Sequence, residues 1–154
     1  MVRKNTKAFD RFKTCICNDF VLRSPDFSRK YILQIDASGT GLGAVMEQKF
    51  EDRRHPLMFI SKKLPGAECS YAVVEKECFA IIWAVKILRF FLEGKEFTVF
   101  TNHAPLQWSQ RMNTTKQRLL RSNLTLHEIR FSISHIAGKK NIVADALSRC
   151  DEHY

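Results

Sequence analysis

The hydrophobic pattern alternates first and then becomes helical. Tyr31-Ile32-Leu33-Gln34-Ile35 is an apolar, β-branched run that ends at Asp36, and Ala37-Ser38-Gly39-Thr40-Gly41 carries turn chemistry. Leu42 to Met46 and Pro56 to Ile60 are further strand-like runs, so the spacing predicts an antiparallel meander. Tyr71, Val74, Cys78, Ile81, Val85, Leu88 and Leu92 then recur every three or four residues. That periodicity predicts one helix of about six turns with a single buried stripe, N-capped by Ser70 and stopped at Gly94. Phe97 to Thr101 returns to strand, and Pro105 opens a basic helical stretch. Ile129 to Ile136 is a last strand; Ala137 to Lys140 turns the chain, and Asn141 caps a final helix through Arg149. This order of elements implies a mixed α/β fold, a five-stranded sheet flanked by helices. Residues 1–29 read as a lead-in, with Ala8, Phe9, Phe12 and Ile16 at helical spacing before the break at Ser24-Pro25-Asp26. Residues 30–150 read as one domain and 151–154 as a tail.

Composition adds a partner to this picture. Lys and Arg total 25 against 16 acids, a formal net charge of +9, which favours a polyanion such as nucleic acid. A 45% hydrophobic content suits a packed domain. The five cysteines, Cys15, Cys17, Cys69, Cys78 and Cys150, have neither disulfide-framework nor zinc-site spacing, and Cys78 falls on the apolar stripe. No run reaches membrane-spanning length, so an intracellular setting, cytoplasmic or nuclear, is expected, without a membrane partner.

Three acids fall where a sheet edge could gather them. Asp36 ends the first strand, Glu77 lies early on the long helix, and Asp145 is one turn into the last helix. Clustered carboxylates repel unless cations neutralise them, and hard oxygen ligands suit Mg²⁺ or Mn²⁺. Spacing alone fits solvated carboxylates as well. The segments YILQIDASGTGLGA, SYAVVEKECFAIIWA, FTVFTNHAPL and SHIAGKKNIVADALSR change that balance. In that order and at those intervals they resemble the ribonuclease H domain of Ty3/gypsy-type retrotransposon reverse transcriptases, over about residues 30 to 149. Asn5 to Ser28 resembles the connection that precedes it.

The resemblance implies the ribonuclease H-like fold. It also implies hydrolysis of the RNA strand of an RNA–DNA hybrid with two Mg²⁺ ions, Mn²⁺ substituting. Asp36 would bridge both ions, Glu77 (or its competitor Glu75) would hold one, and Asp145 the other. The remainder of a reverse transcriptase polyprotein would be a partner.

The chain departs from the family at its third motif. The family reads TDH where this chain has Thr101-Asn102-His103, so the fourth ligand position carries a neutral amide. Loss of one anionic oxygen is expected to leave the fold intact and impair catalysis. The alternative reading is a catalytically inactive domain that binds nucleic acid or serves only as structure. A second departure is Ser122, where the family carries tryptophan. Arg111, Lys116, Arg118, Arg121, Lys139 and Lys140 are candidate phosphate contacts, with a solvated face as the competing reading. Trp108 reads as core, His103 as a site-shaping residue and His135 as structural. Gly39, Gly41 and Gly43 suggest a tight hairpin rather than a dinucleotide loop.

Overall fold

A computed structural model describes residues 22–51, 53–102 and 130–150. Strand β1 (Tyr31–Ala37) pairs antiparallel with β2 (Gly41–Phe50), which pairs antiparallel with β3 (Arg53–Lys63). A short helix α1 (Gly66–Cys69) leads to α2 (Val73–Ile87) and α3 (Arg89–Leu92). Strands β4 (Glu96–Thr101) and β5 (Arg130–His135) follow, then a 3-10 turn (Gly138–Lys140) and helix α4 (Ile142–Ser148). The sheet order is β3-β2-β1-β4-β5, with β1–β4 and β4–β5 parallel. The mixed five-stranded sheet expected from the sequence is therefore present, with the meander at one side and the parallel strands at the other.

Alternation along β1 explains the core. Tyr31, Leu33 and Ile35 are buried and pack with the α2 stripe of Cys78, Ile81 and Val85. Residues two apart share a face, so Gln34 and Asp36 point to the opposite side. Helix α4 packs there, against β1, β2 and β3. Gly41 and Gly43 lie directly beneath it. A Cβ at Gly43 would run into the backbone of Ala144 and Ser148, and one at Gly41 into the Ser148 carbonyl. Both glycines therefore permit close approach of a helix, in addition to flanking a hairpin.

The long helix differs from its sequence expectation at both ends. Its N-cap is Ala72, whose N–H donates to the Glu75 carboxylate, while the Ser70 hydroxyl donates to the Ala67 carbonyl and closes α1. Tyr71 is exposed and outside the stripe. The helix also breaks at Leu88, where ψ swings to 9°. That reorientation keeps both Leu88 and Leu92 buried while the chain turns towards β4. Gly94 stops the run as expected, with φ at +70°.

The end of the lead-in is tied to the sheet. Gln48, fully buried, accepts from the Asp26 N–H at 2.9 Å and donates to the Asp26 carbonyl at 2.7 Å. Phe27 stacks on Phe91 with ring centroids 6.4 Å apart. These contacts sit at the end of β1 away from Asp36. Among the described residues no helix is long and apolar enough to cross a membrane.

Candidate active site

Parallel pairing of β1 with β4 places their carboxyl ends side by side, the usual location for ligand sites in open α/β sheets. Asp36 occupies the end of β1 and is almost buried, at 3% exposure. Asn102 follows β4, and its Nδ2 donates to Asp36 Oδ1 at 3.3 Å. The opposite amide orientation would set the carbonyl oxygen against a carboxylate oxygen, two acceptors facing each other. Ser148 Oγ lies 2.8 Å from Asp36 Oδ2 and 2.8 Å from the Asp145 carbonyl, two acceptors for its one proton.

Glu77 approaches the same edge from α2. It is 1% exposed, and its Oε2 accepts from the fully buried Thr101 hydroxyl, the residue before Asn102. Asp145 stands on α4, but its carboxylate accepts from Arg149 Nε at 2.8 Å. The hydrogen bond to Asp145, followed by its charge and that of Asp36, holds the Arg149 guanidinium above its ordinary pKa. A permanent cation thus shares this edge with the acids. Asn141 pins the start of α4 to β1 by donating from Nδ2 to the Ile35 carbonyl at 2.7 Å. It occupies the N-cap position without a side-chain bond to its own helix, unlike the capping role expected.

The site residues expected from sequence are therefore arranged unevenly. Asp36 and Asn102 touch. Glu77 is joined to that pair through Thr101. Asp145 is linked to Asp36 through the Ser148 hydroxyl, by its main chain. Among the described residues no three Asp, Glu, His or Cys side chains converge to hold a metal ion. The two Asp36 oxygens face an N–H and an O–H donor, so the residues as placed do not fit a pair of divalent cations. Lys139 and Lys140 are exposed in the 3-10 turn that leads into α4. Arg111, Lys116, Arg118 and Arg121 lie outside the described residues, as do His103, Pro105, Trp108 and Ser122. His135 closes β5, with Nε2 3.1 Å from the Asn102 carbonyl.

Sequence reasoning missed Ser148 and Thr101, the two hydroxyls that hold the acids. Nothing in their local sequence marks them, because their partners are 112 and 24 residues away. Removing the Ser148 hydroxyl leaves a nearly buried carboxylate short of a donor. Ser148→Ala is expected to lower stability by about 1–3 kcal/mol. The check is the denaturant midpoint, with the slope unchanged; no shift would mean that Asp36 does not depend on this hydroxyl.

Comparison with known proteins shows the family and the fold. The RNase H-like domain found in reverse transcriptase matches residues 26–129. The Retrovirus-related Pol polyprotein from transposon 297 of Drosophila melanogaster is 42% identical over 143 residues, covering 93% of this chain. The chain spans 13% of that polyprotein. A foamy viral protease-reverse transcriptase in complex with RNA/DNA hybrid superposes with a TM-score of 0.54 at 15% identity, over 85% of this chain and 19% of that one. LC11-RNase H1, isolated from compost, gives a TM-score of 0.50 at 20% identity, over 77% of this chain and 92% of that one. At such identities the two structures speak for the fold, and the sequence match speaks for descent. Strand order, the acid-bearing edge and these matches together establish that the chain belongs to the family of RNase H-like domains found in reverse transcriptases of retrotransposon Pol polyproteins.

Proposed function

We propose that this domain binds RNA–DNA hybrid as part of a retroelement Pol polyprotein inside the cell, and that its hydrolysis of the RNA strand is crippled by Asn102. The carrying observation is the Asn102–Asp36 hydrogen bond, which puts a neutral donor where the family has a carboxylate. The foamy viral relative in complex with hybrid and the net charge of +9 support the substrate class. The family reaction calls for Mg²⁺ or Mn²⁺ at this edge. With Asn102 in place, the chain contributes two buried acids, Asp36 and Glu77, tied to Asn102 and to its neighbour Thr101. Asp145 is engaged by Arg149, which favours binding over turnover. The polyprotein remainder is the expected covalent partner, since the chain spans 13% of its relative.

Binding is tested by fluorescence anisotropy with a labelled hybrid and a DNA duplex of the same sequence. Hybrid is expected to bind more tightly, because its A-like form offers 2′-hydroxyls in a wide minor groove. Affinity should fall steeply between about 50 and 200 mM salt as displaced counterions lose their entropic advantage. Equal affinity for the two duplexes at matched salt would defeat this reading. Cleavage is tested on the same hybrid with Mg²⁺ and then Mn²⁺.

A further inference from the structure

The face of the sheet that carries α4 also holds a groove that the acid edge does not use. Its volume is about 430 Å³, and it is bounded by Gln34, Arg54, Phe100, His135 and Lys140. That volume falls within the roughly 300–1,000 Å³ range of small-ligand sites. Gln34 and Phe100 are register partners on β1 and β4, each two residues before Asp36 or Asn102 and on the same face. The groove therefore runs directly off the candidate site, and the contact between His135 Nε2 and the Asn102 carbonyl joins them.

Arg54 belongs to the edge strand β3, yet its guanidinium lies 4.4 Å from the centre of the Phe100 ring on β4. β2 and β1 lie between these two strands in the sheet order. A guanidinium laid against an aromatic ring keeps its in-plane N–H donors and its outer face available. Arg54 is exposed. Lys140 and His135 are exposed on the opposite wall. The nearby carboxylate, Glu47, accepts from Gln34 Nε2 at 2.7 Å; burial raises its pKa, against the opposing pull of that hydrogen bond and of the Arg54 charge. The groove thus offers a flat cation backed by an aromatic ring, with further nitrogen-bearing side chains lining the same groove.

We propose that this groove seats a single-stranded stretch of nucleic acid, with a base stacked on Arg54 and its phosphates against Lys140 and His135. Bases stack on guanidinium planes without sequence preference, and flanking cations follow the backbone. The occupant would be a strand leaving the duplex held at the acid edge. The seat for a strand leaving a hybrid rests on the proposed function, whereas the groove itself can be tested with a strand alone.

The test measures anisotropy of three labelled probes: a short single-stranded DNA, a blunt RNA–DNA hybrid, and the same hybrid with a single-stranded DNA tail. For the unaltered protein the tail should tighten binding at least ~10-fold over the blunt hybrid. Arg54→Glu should abolish that gain and the binding of single strand, yet leave the blunt hybrid within about twofold. Arg54→Lys keeps the charge without the plane and should fall between the two. Thermal melts of each variant verify folding, and the Lys variant supplies the comparison if Arg54→Glu fails to fold. No gain from the tail overturns the proposal, as does an equal loss of blunt and tailed hybrid in the variants. Single-strand binding that depends on Arg54, without blunt-hybrid binding, supports the groove and instead refutes the hybrid reading of the acid edge.

Discussion

Asn102→Asp is expected to raise cleavage of the RNA strand of an RNA–DNA hybrid at least about 10–100-fold over the unaltered chain. The two side chains are nearly isosteric, so packing around β4 should not change. Charge changes instead. The substitution removes the N–H that Asp36 Oδ1 now accepts at 3.3 Å and sets a second carboxylate there. With Glu77 held against Thr101, the variant would add a third acid at an edge where, among the described residues, no three now converge. In metal-free buffer the new repulsion should cost about 1–2 kcal/mol of stability. Mg²⁺ should recover it for the variant and leave the unaltered protein's melting temperature nearly unmoved, since only a state that binds the ion is stabilised by it. Equal cleavage by both proteins would show that the amide oxygen suffices. Cleavage by neither would show that the chain lacks more than this one ligand, and would favour the binding-only reading.

Gly43→Ala should unfold or loosen the domain more than an ordinary surface change. The added methyl meets main-chain atoms of Ala144 and Ser148, which cannot rotate away as a side-chain tip could. Overpacking of this kind costs about 1–3 kcal/mol, and α4 must lift for the strain to relax. Because α4 brings Ser148 to Asp36, the substitution should also weaken hybrid binding if the acid edge is the seat. Urea unfolding is the measurement, with Gly39→Ala as control. A Cβ at Gly39 meets nothing within 4 Å, so that variant should stay within about 0.5 kcal/mol of the parent. Equal effects of the two changes would mean that the helix does not press on β2.

Much of this arrangement is legible in the order of residues, and the rest is not for identifiable reasons. β1 declares itself through alternation, since Tyr31, Leu33 and Ile35 all face one layer. The α2 stripe is legible because Cys78, Ile81 and Val85 recur at the helical period. The break at Leu88 is hidden, because Leu88 and Leu92 keep the same spacing whether the helix runs straight or turns. The acid-bearing edge could be anticipated from Asp36, Glu77 and position 102, given the family motifs. The engagement of Asp145 by Arg149 follows from i,i+4 geometry on α4, which motif matching alone does not weigh. Arg54 over Phe100 is beyond sequence reasoning, since it joins β3 to β4 across the strand order of the folded sheet.

The bond between Ser148 and Asp36 has a consequence for biosynthesis. It joins positions 112 apart, and the Asn141 clasp to β1 joins positions 106 apart. The meander of β1, β2 and β3 needs only neighbouring sequence and can form early, whereas closures of such long span form slowly. A ribosome that has not yet delivered residue 148 therefore carries a nascent chain whose acid edge lacks its Ser148 side, however complete its sheet. Any nucleic acid met during translation would encounter an open edge, and a competent grip would begin only after the last helix had left the exit tunnel.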